Sequence, residues 1–342
     1  MGVIAGIDLG GTAINYTLCD HQGRFLIDGL CEYPARVADG PDVCLSQIVT
    51  GLRQAAARAD TDLSDVLGAG IATPGPASVA GVLSAAGSTN FAHPEWAGFD
   101  LPAQLSLLLG LPVFYLNDGN AAALWGHLVA CGSHASSATS VTAVVGTGLG
   151  GGLVVNGRLV VGRNGFAGEL GHVLIPFERI DGAGDLAPRC NCGRYGDLES
   201  ICSLTGIERV LLPAMLSKYP DHLLHKVSTP RDAARGVRAL AEAGDPMCLQ
   251  IFSIQARALG LFFDQMINTF DPDALIIGGG LIETTDELRE WLLAEIRRGM
   301  PEQRFEQRDI PLIVMPNGDT AGARGAAIEG LQHFDQATLQ ID

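Results

Sequence analysis

The chemistry this sequence can offer lies in carboxylates, one histidine and a close pair of cysteines, each set beside glycine. Asp8 closes an apolar run and is followed by Gly10-Gly11-Thr12, and Asp118 follows Asn117 directly after the apolar run 113–116. Glu169 and His172 stand in Ala167-Gly168-Glu169-Leu170-Gly171-His172, while Cys190 and Cys192 form a Cys-x-Cys pair ahead of Gly193. At the carboxyl end of a strand a side chain faces the crevice where open α/β sheets bind ligands, and there Asp118 could accept a proton from a substrate hydroxyl. The other reading of Asp118 is the N-cap of a helix over 120–131, and the two stand side by side. Asp8 is either a turn cap or a carboxylate that holds or orients hydrated Mg²⁺. His172, Cys190 and Cys192 are three ligands where a closed zinc site needs four. The fourth would be Asp197 or Cys202; otherwise the cysteines are free and the loop is merely irregular.

Elements must position these groups, and glycine marks where. The turns Gly10-Gly11-Thr12 and 146–152, the latter opening with Gly146, Thr147 and Gly148, lie between apolar runs, so their amides can converge on an anion with no side chain in the way. Either turn alone reads as a tight hairpin. Each, however, sits in the same setting: runs 3–9, 13–18 and 24–27 around the first, and runs 141–145, 153–155 and 158–161, with an Asn156-Gly157 hairpin signal, around the second. Two antiparallel meanders form an internal repeat, and nucleotide phosphates become the fitting anion. A helix over 43–59, strands at 68–72 and 113–116 and the helix over 120–131 separate the copies, an alternation that predicts an α/β fold. A strand at 274–277 runs into Gly278-Gly279-Gly280, a further ligand-approach signal. The segment 164–197 is irregular, and from Ser203 onward the pattern is largely helical and without chemistry of its own. A helix over 286–298, a strand at 310–315 and a terminal helix complete the chain.

Composition narrows the class. A length of 342 residues suggests about two domains, and 47% hydrophobic against 18% charged residues describes a packed protein with an ample core. The formal charge is −16, and the only lysines are Lys218 and Lys226, so a footprint for nucleic acid is hard to build. No Gly-Lys-Ser/Thr sequence provides the lysine-dependent phosphate loop, so a triphosphate here calls for a divalent cation. The N-terminal stretch does not read as an export signal, and cytoplasmic residence is the expectation. The apolar segments 101–116 and 246–270 are interrupted by proline or by polar and charged residues and read as core elements rather than membrane spans. Of the eight cysteines, six are scattered singly in apolar patterns, as reduced core cysteines are.

The ordered set of motifs resembles the ROK family of sugar kinases and sugar-responsive repressors. Asp-x-Gly-Gly-Thr lies at 8–12, Pro-Gly-Pro at 74–76, Asn-Asp-x-Asn-Ala-Ala at 117–122 and Gly-Thr-Gly-x-Gly-Gly-Gly at 146–152. Ala-Gly-Glu-x-Gly-His follows at 167–172, Cys-x-Cys-Gly-x-x-Gly at 190–196, and the likeness ends in the glycine- and alanine-rich stretch 318–327. The resemblance implies a two-domain actin-like ATPase (ribonuclease H-like) fold, with residues 1–117 and about 328–342 in a small domain, 118–327 in a large one, and the active site in the cleft between. It implies that Asp8 and the two glycine loops hold Mg²⁺-ATP, with Gly278, Gly279 and Gly280 near the adenosine and Asp118 as general base. It implies sugar contacts from Gly75, Asn90, Asn117, Asp118, Glu169, His172 and Glu199, and a zinc ion that fixes the ring of His172 while its other nitrogen meets a hydroxyl.

Two departures fall on the zinc loop: Asp197 stands where the family has a third cysteine, and the segment between His172 and Cys190 is longer than the family's usual spacing. An aspartate oxygen can complete a tetrahedral site at lower affinity, so the expected ligands are His172, Cys190, Cys192 and Asp197. The activity implied is phosphorylation of a hexose, glucose first at its 6-hydroxyl, with N-acetylmannosamine or N-acetylglucosamine next and ATP or polyphosphate as donor. A sugar-sensing regulator is the alternative of another class, disfavoured by the charge and by the seven residues ahead of Asp8. Partners are expected to be small molecules and a second copy in a homodimer, with no nucleic acid and no membrane.

Overall fold

The strands and helices fold, in the computed structural model, into two mixed sheets built on one plan. Residues 2–84, 90–184, 186, 188–301, 304–307 and 309–339 are described, so the tail 340–342 of the expected terminal helix lies outside them. The first sheet is ordered β3-β2-β1-β4-β5, from β1 (Val3–Leu9), β2 (Ala13–Asp20), β3 (Glu32–Pro34), β4 (Val66–Thr73) and β5 (Val113–Asn117). Helices α1 (Pro41–Arg58) and α2 (Leu101–Leu109) belong to this half. After α3 (Asp118–Cys131) comes the second sheet, ordered β8-β7-β6-β9-β10, from β6 (Ser140–Val145), β7 (Leu149–Val155), β8 (Arg158–Leu159), β9 (Ala274–Gly278) and β10 (Leu312–Val314). In both sheets the first two hairpin pairings are antiparallel and the two on the other side are parallel, so the repeat read from the glycine turns extends to the whole topology. The interior strands β1 and β9 are buried on both faces, which is why they read as apolar runs without alternation.

Two expectations about the meanders are corrected. The segment 24–27 makes an isolated bridge, Cys19 with Phe25, and not a third strand; the partner of β2 is β3. Asp20 is the cause: its Oδ1 accepts from the amides of Gln22 and Arg24 and its Oδ2 from the Arg24 guanidinium, which holds the chain in a turn. In the second meander the turn is confined to residues 146–148, and Gly150, Gly151 and Gly152 lie within β7. Gly151 and Gly152 serve packing: a Cβ at Gly152 would lie 2.6 Å from Ala123 Cβ of α3, and one at Gly151 would overlap the Thr142 carbonyl of β6.

Helices α4 (Leu204–Gly206) and α5 (Leu212–Leu216) flank a π-helical turn, Ile207–Leu211, and are followed by α6 (Pro230–Glu242), α7 (Pro246–Phe270) and α8 (Asp286–Gly299). Pro at N1 and an N-cap of Thr229 or Asp245 start α6 and α7. By length and composition α7 could cross a membrane, but 72% of its apolar window is buried in the protein core. All eight cysteines are free thiols.

The last helix, α9 (Gly318–Leu339), trades places with α3. Helix α3 leaves the first sheet and packs on β6 and β7, whereas α9 leaves the second sheet and packs on β1, β4 and β2. The two helices cross where Gly325 meets the Ala121 carbonyl so closely that any side chain at 325 would overlap it. Gly6 and Gly70 give α9 the same close seat on the first sheet, against Ala323, Ala326 and Ala327.

Candidate active site

The carboxyl ends of both sheets and the start of α3 bring the sequence-predicted groups together. Asn117 ends β5 and caps α3, its side-chain oxygen accepting from the Gly119 amide at 2.9 Å. The N-cap is therefore Asn117, while Asp118 is the first helical residue, its Oδ1 accepting from the same amide at 2.7 Å. Gly75 lies close by, with room for a Cβ only 3.4 Å from the Asn117 amide nitrogen. In the first glycine turn the Gly10 amide donates to the Ala13 carbonyl, Ala35 donates to Thr12, and Asn90 stands over Gly11, where a Cβ would lie 3.1 Å from Asn90 Oδ1. Asp8, at the end of β1, rests against Gly322 of α9.

Negative charge concentrates here, and the carboxyls respond. Burial first, and then the charge of Asp118, pushes Asp8 up to about 7 against the pull of Asn15. Burial also raises Asp118, with the Gly119 amide pulling the other way. Glu169 is raised by partial burial, lowered by His172 and raised again by Asp118 and Glu199. Glu199 is pinned to the second glycine turn: Leu149 N–H donates to its Oε2 at 2.9 Å, and a Cβ at Gly148 would lie 2.7 Å from that oxygen.

His172 faces two ways. Its Nδ1 lies 3.0 Å from Asp197 Oδ2 and 3.7 Å from Cys190 Sγ, while Nε2 is turned to Glu169, 4.0 Å away. Cys192 Sγ is 3.5 Å from the same Asp197 oxygen, and the four ligand atoms lie within 4.8 Å of one another. Bonds of about 2.0–2.3 Å to a tetrahedral zinc place ligand atoms about 3.3–3.8 Å apart. The contacts of 3.0, 3.5 and 3.7 Å lie around that spacing, and imidazole, two thiols and a carboxylate are donor types that suit the ion. Burial works to raise Asp197, but hydrogen bonds from His172, Cys190, the Ser200 amide and Cys192 outweigh it and hold the carboxyl below its usual range. Of the two candidates for a fourth ligand, Asp197 stands in the cluster, whereas the Cys202 thiol donates to the Gln255 carbonyl in the core.

Beside the second glycine turn opens a cavity of about 420 Å³ lined by Gly146, Thr147, Ile207, Ala239, Phe252 and Leu281, among others. Gly280 lines it too, whereas Gly279, in the left-handed region at φ 83°, backs onto the Val145 carbonyl, and Gly278 ends β9 against Met315. The sequence offered no chemistry in the helical part, yet the structure places charged side chains of that part at this cavity. Helix α6 turns Arg235, Arg238 and Glu242 to its wall, and Arg231 reaches Thr147. The signal was present as arginines at helical spacing on one face, but in sequence that pattern matches a solvated surface equally well.

Two sheets of repeated topology, with exchanged helices and the chemistry at their carboxyl ends, define the mixed α/β actin-like ATPase fold. The chain belongs to the ROK family, whose sequence model matches residues 4–331. It is 32% identical over 292 residues to a glucokinase of Halalkalibacterium halodurans, covering 83% of this chain and 82% of that one. An N-acetyl-D-glucosamine kinase of Yersinia pseudotuberculosis is 30% identical over 329 residues, 94% of this chain and 97% of that one. A solved ROK family glucokinase of Streptomyces griseus, in complex with glucose and AMPPNP, superposes with a TM-score of 0.71 at 25% identity, covering 97% of this chain and all of that one (100%).

Proposed function

We propose that the protein is an ATP-dependent sugar kinase that phosphorylates a hexose, glucose first and an N-acetylhexosamine next. The observation that carries this reading is Asp118. It is a half-buried carboxyl at the junction of β5 and α3, raised in proton affinity, whose charge reaches Asp8 on one side and Glu169 on the other. A base of that kind takes the proton of the sugar's primary hydroxyl as the oxygen attacks the γ-phosphorus. The bond from that phosphorus to the β-phosphate bridging oxygen breaks, and ADP leaves.

Asn90, Asn117, Glu169, His172 and Glu199 hold the sugar, and Gly75 leaves room at the pocket wall. Asp8 orients the Mg²⁺ that arrives with ATP, which also relieves its crowding by Asp118. In the second turn the carbonyls of Gly146 and Thr147 accept from the Leu204 and Thr205 amides. A trans peptide points its N–H opposite its C=O, so the amides of Thr147 and Gly148 turn away from that anchor and toward a phosphate. The neighbouring cavity suits a nucleoside by size and apolar lining, which favours ATP over polyphosphate. Zinc held by His172, Cys190, Cys192 and Asp197 is structural in this scheme, fixing the imidazole so that Nε2 faces the sugar. The first sheet, with the α9 segment that seats on it, forms one jaw of the cleft and the second sheet with its helices the other, in a cytoplasmic homodimer.

The test is ADP release from Mg²⁺-ATP across a panel of hexoses and N-acetylhexosamines. One sugar clear of the rest, and silent in Asp118→Asn, is the expected result. Sugar binding by thermal shift with no turnover on any sugar would replace the kinase with a sensor.

A further inference from the structure

A chain with two lysines and a net charge of −16 has to bring positive charge to a triphosphate from somewhere, and Lys218 and Lys226 are not among the residues of the cavity wall. Helix α6 presents three arginines to this side, at 231, 235 and 238, a spacing that keeps them on one helical face. They are not equivalent. Arg238 is committed to the backbone, donating to the Gly280 and Glu283 carbonyls and so bracing the third glycine turn. Arg235 stands at the solvent edge, 65% exposed and 3.7 Å from Asp232. Arg231 is drawn in: one terminal nitrogen donates to Glu208 at 2.9 Å and to Thr205 Oγ1 at 3.5 Å, and the other to Thr147 Oγ1 at 3.3 Å. Thr147 is the exposed tip of the glycine turn whose carbonyls are tied back to residues 204 and 205. The guanidinium therefore lies at the side-chain hydroxyl of the turn's tip, next to the cavity whose wall includes Thr147 but not Arg231 itself.

We propose that Arg231 binds a phosphate of the nucleotide, swinging part of its hydrogen bonding from Thr147 to a phosphate oxygen, and that Glu208 holds it ready and sets how readily it is released. This rests on the nucleotide occupying the cavity beside Gly146 and Thr147. A guanidinium is suited to the task because its fork can keep one edge on Glu208 while the other meets the anion. The Thr147 contact, at 3.3 Å, is longer than the Glu208 contact and is the one made by the second terminal nitrogen, so it is the one to be exchanged.

Calorimetric binding of ADP and of adenosine, without sugar, separates the proposal from the reading beneath it. Adenosine reports the cavity; the ratio of ADP to adenosine affinity reports Arg231. In Arg231→Gln, ADP affinity is expected to fall about tenfold or more, with adenosine held within about twofold. Arg231→Lys should recover part of the loss, and Glu208→Gln should tighten ADP by freeing the guanidinium, a gain that a merely structural ion pair would not give. Equal affinities of wild type and Arg231→Gln for ADP would overturn the proposal while leaving the nucleotide site in place. Parallel loss of ADP and adenosine would overturn it too, by reducing Arg231 to a support of the cavity wall. A wild-type protein that binds neither would remove the nucleotide reading and this inference with it.

Discussion

Asp8 at the end of β1 and Asp118 at the start of α3 share one charge field, and after burial it is Asp118 that holds the Asp8 carboxyl up at about 7. Two carboxylates in partly desolvated space resist ionising together, so the pair is costly when empty and is relieved by a cation or a transferred proton. Binding and base chemistry both draw on that tension.

Replacing Asp118 by Asn keeps the shape of the α3 start and the oxygen that meets the Gly119 amide. It should lower the rate of sugar phosphorylation by about 10² to 10⁴ with sugar affinity little changed. Steady-state kinetics beside calorimetric sugar binding checks both halves; a variant retaining most of its rate would end the role of Asp118 as base.

The raised Asp8 carboxyl also bears on stability. Its folded value, about 7, exceeds the ordinary 3.8, so between these the folded protein binds the extra proton and stability falls as pH rises through the window. Asp8→Asn removes that cost. The melting temperature of the ligand-free variant should exceed wild type at pH 8, with the gap narrowing toward pH 5; an offset independent of pH would contradict the assignment.

The mixed donor set His172, Cys190, Cys192 and Asp197 should carry about one zinc per chain when the protein is purified without chelator. Asp197→Cys is expected to retain the metal against higher chelator concentrations than wild type and Asp197→Ala to lose it sooner. Removing the metal should weaken sugar binding, because the imidazole loses its anchor. Metal analysis that finds far less than stoichiometric zinc would refute the site.

Helix exchange depends on Gly325, where a side chain would overlap the Ala121 carbonyl. Gly325→Val should destabilise the protein by about 1–3 kcal/mol or more, since two packed backbones must separate. Gly184→Ala, whose Cβ would meet Glu178 Cα at an ordinary 3.8 Å, is the control and should be near neutral. Urea unfolding of the two variants makes the comparison, and equal midpoints would show that the crossing tolerates bulk.

Much of the site could be read from the sequence because its parts are encoded over a few residues each. A strand end followed by glycine marks Asp8 and the turn beside it, and Asn117-Asp118 before a helical pattern marks a cap and a carboxyl together. Glycine was ambiguous where it serves two ends. Gly146 and Gly148 bound a turn, whereas Gly151 and Gly152 are strand residues kept bare for the neighbouring strand β6 and for α3 respectively, and in sequence both uses show only a missing Cβ. The false strand at 24–27 failed for a similarly small reason, the several hydrogen bonds of one Asp20 side chain.

The sequence by itself determined which chemical groups are available and which stretches become strands, turns and helices, because hydrophobic period, caps and glycine act over short range. It also carried the repeat, since each copy spells out the same hairpin pattern. Only the tertiary structure decided that α3 and α9 exchange sheets, that Asp197 rather than Cys202 joins the cysteines, and that Arg231 reaches Thr147 from 84 positions away. These outcomes depend on how bare backbones nest and which faces meet, and no local pattern fixes an encounter between elements so far apart in the chain.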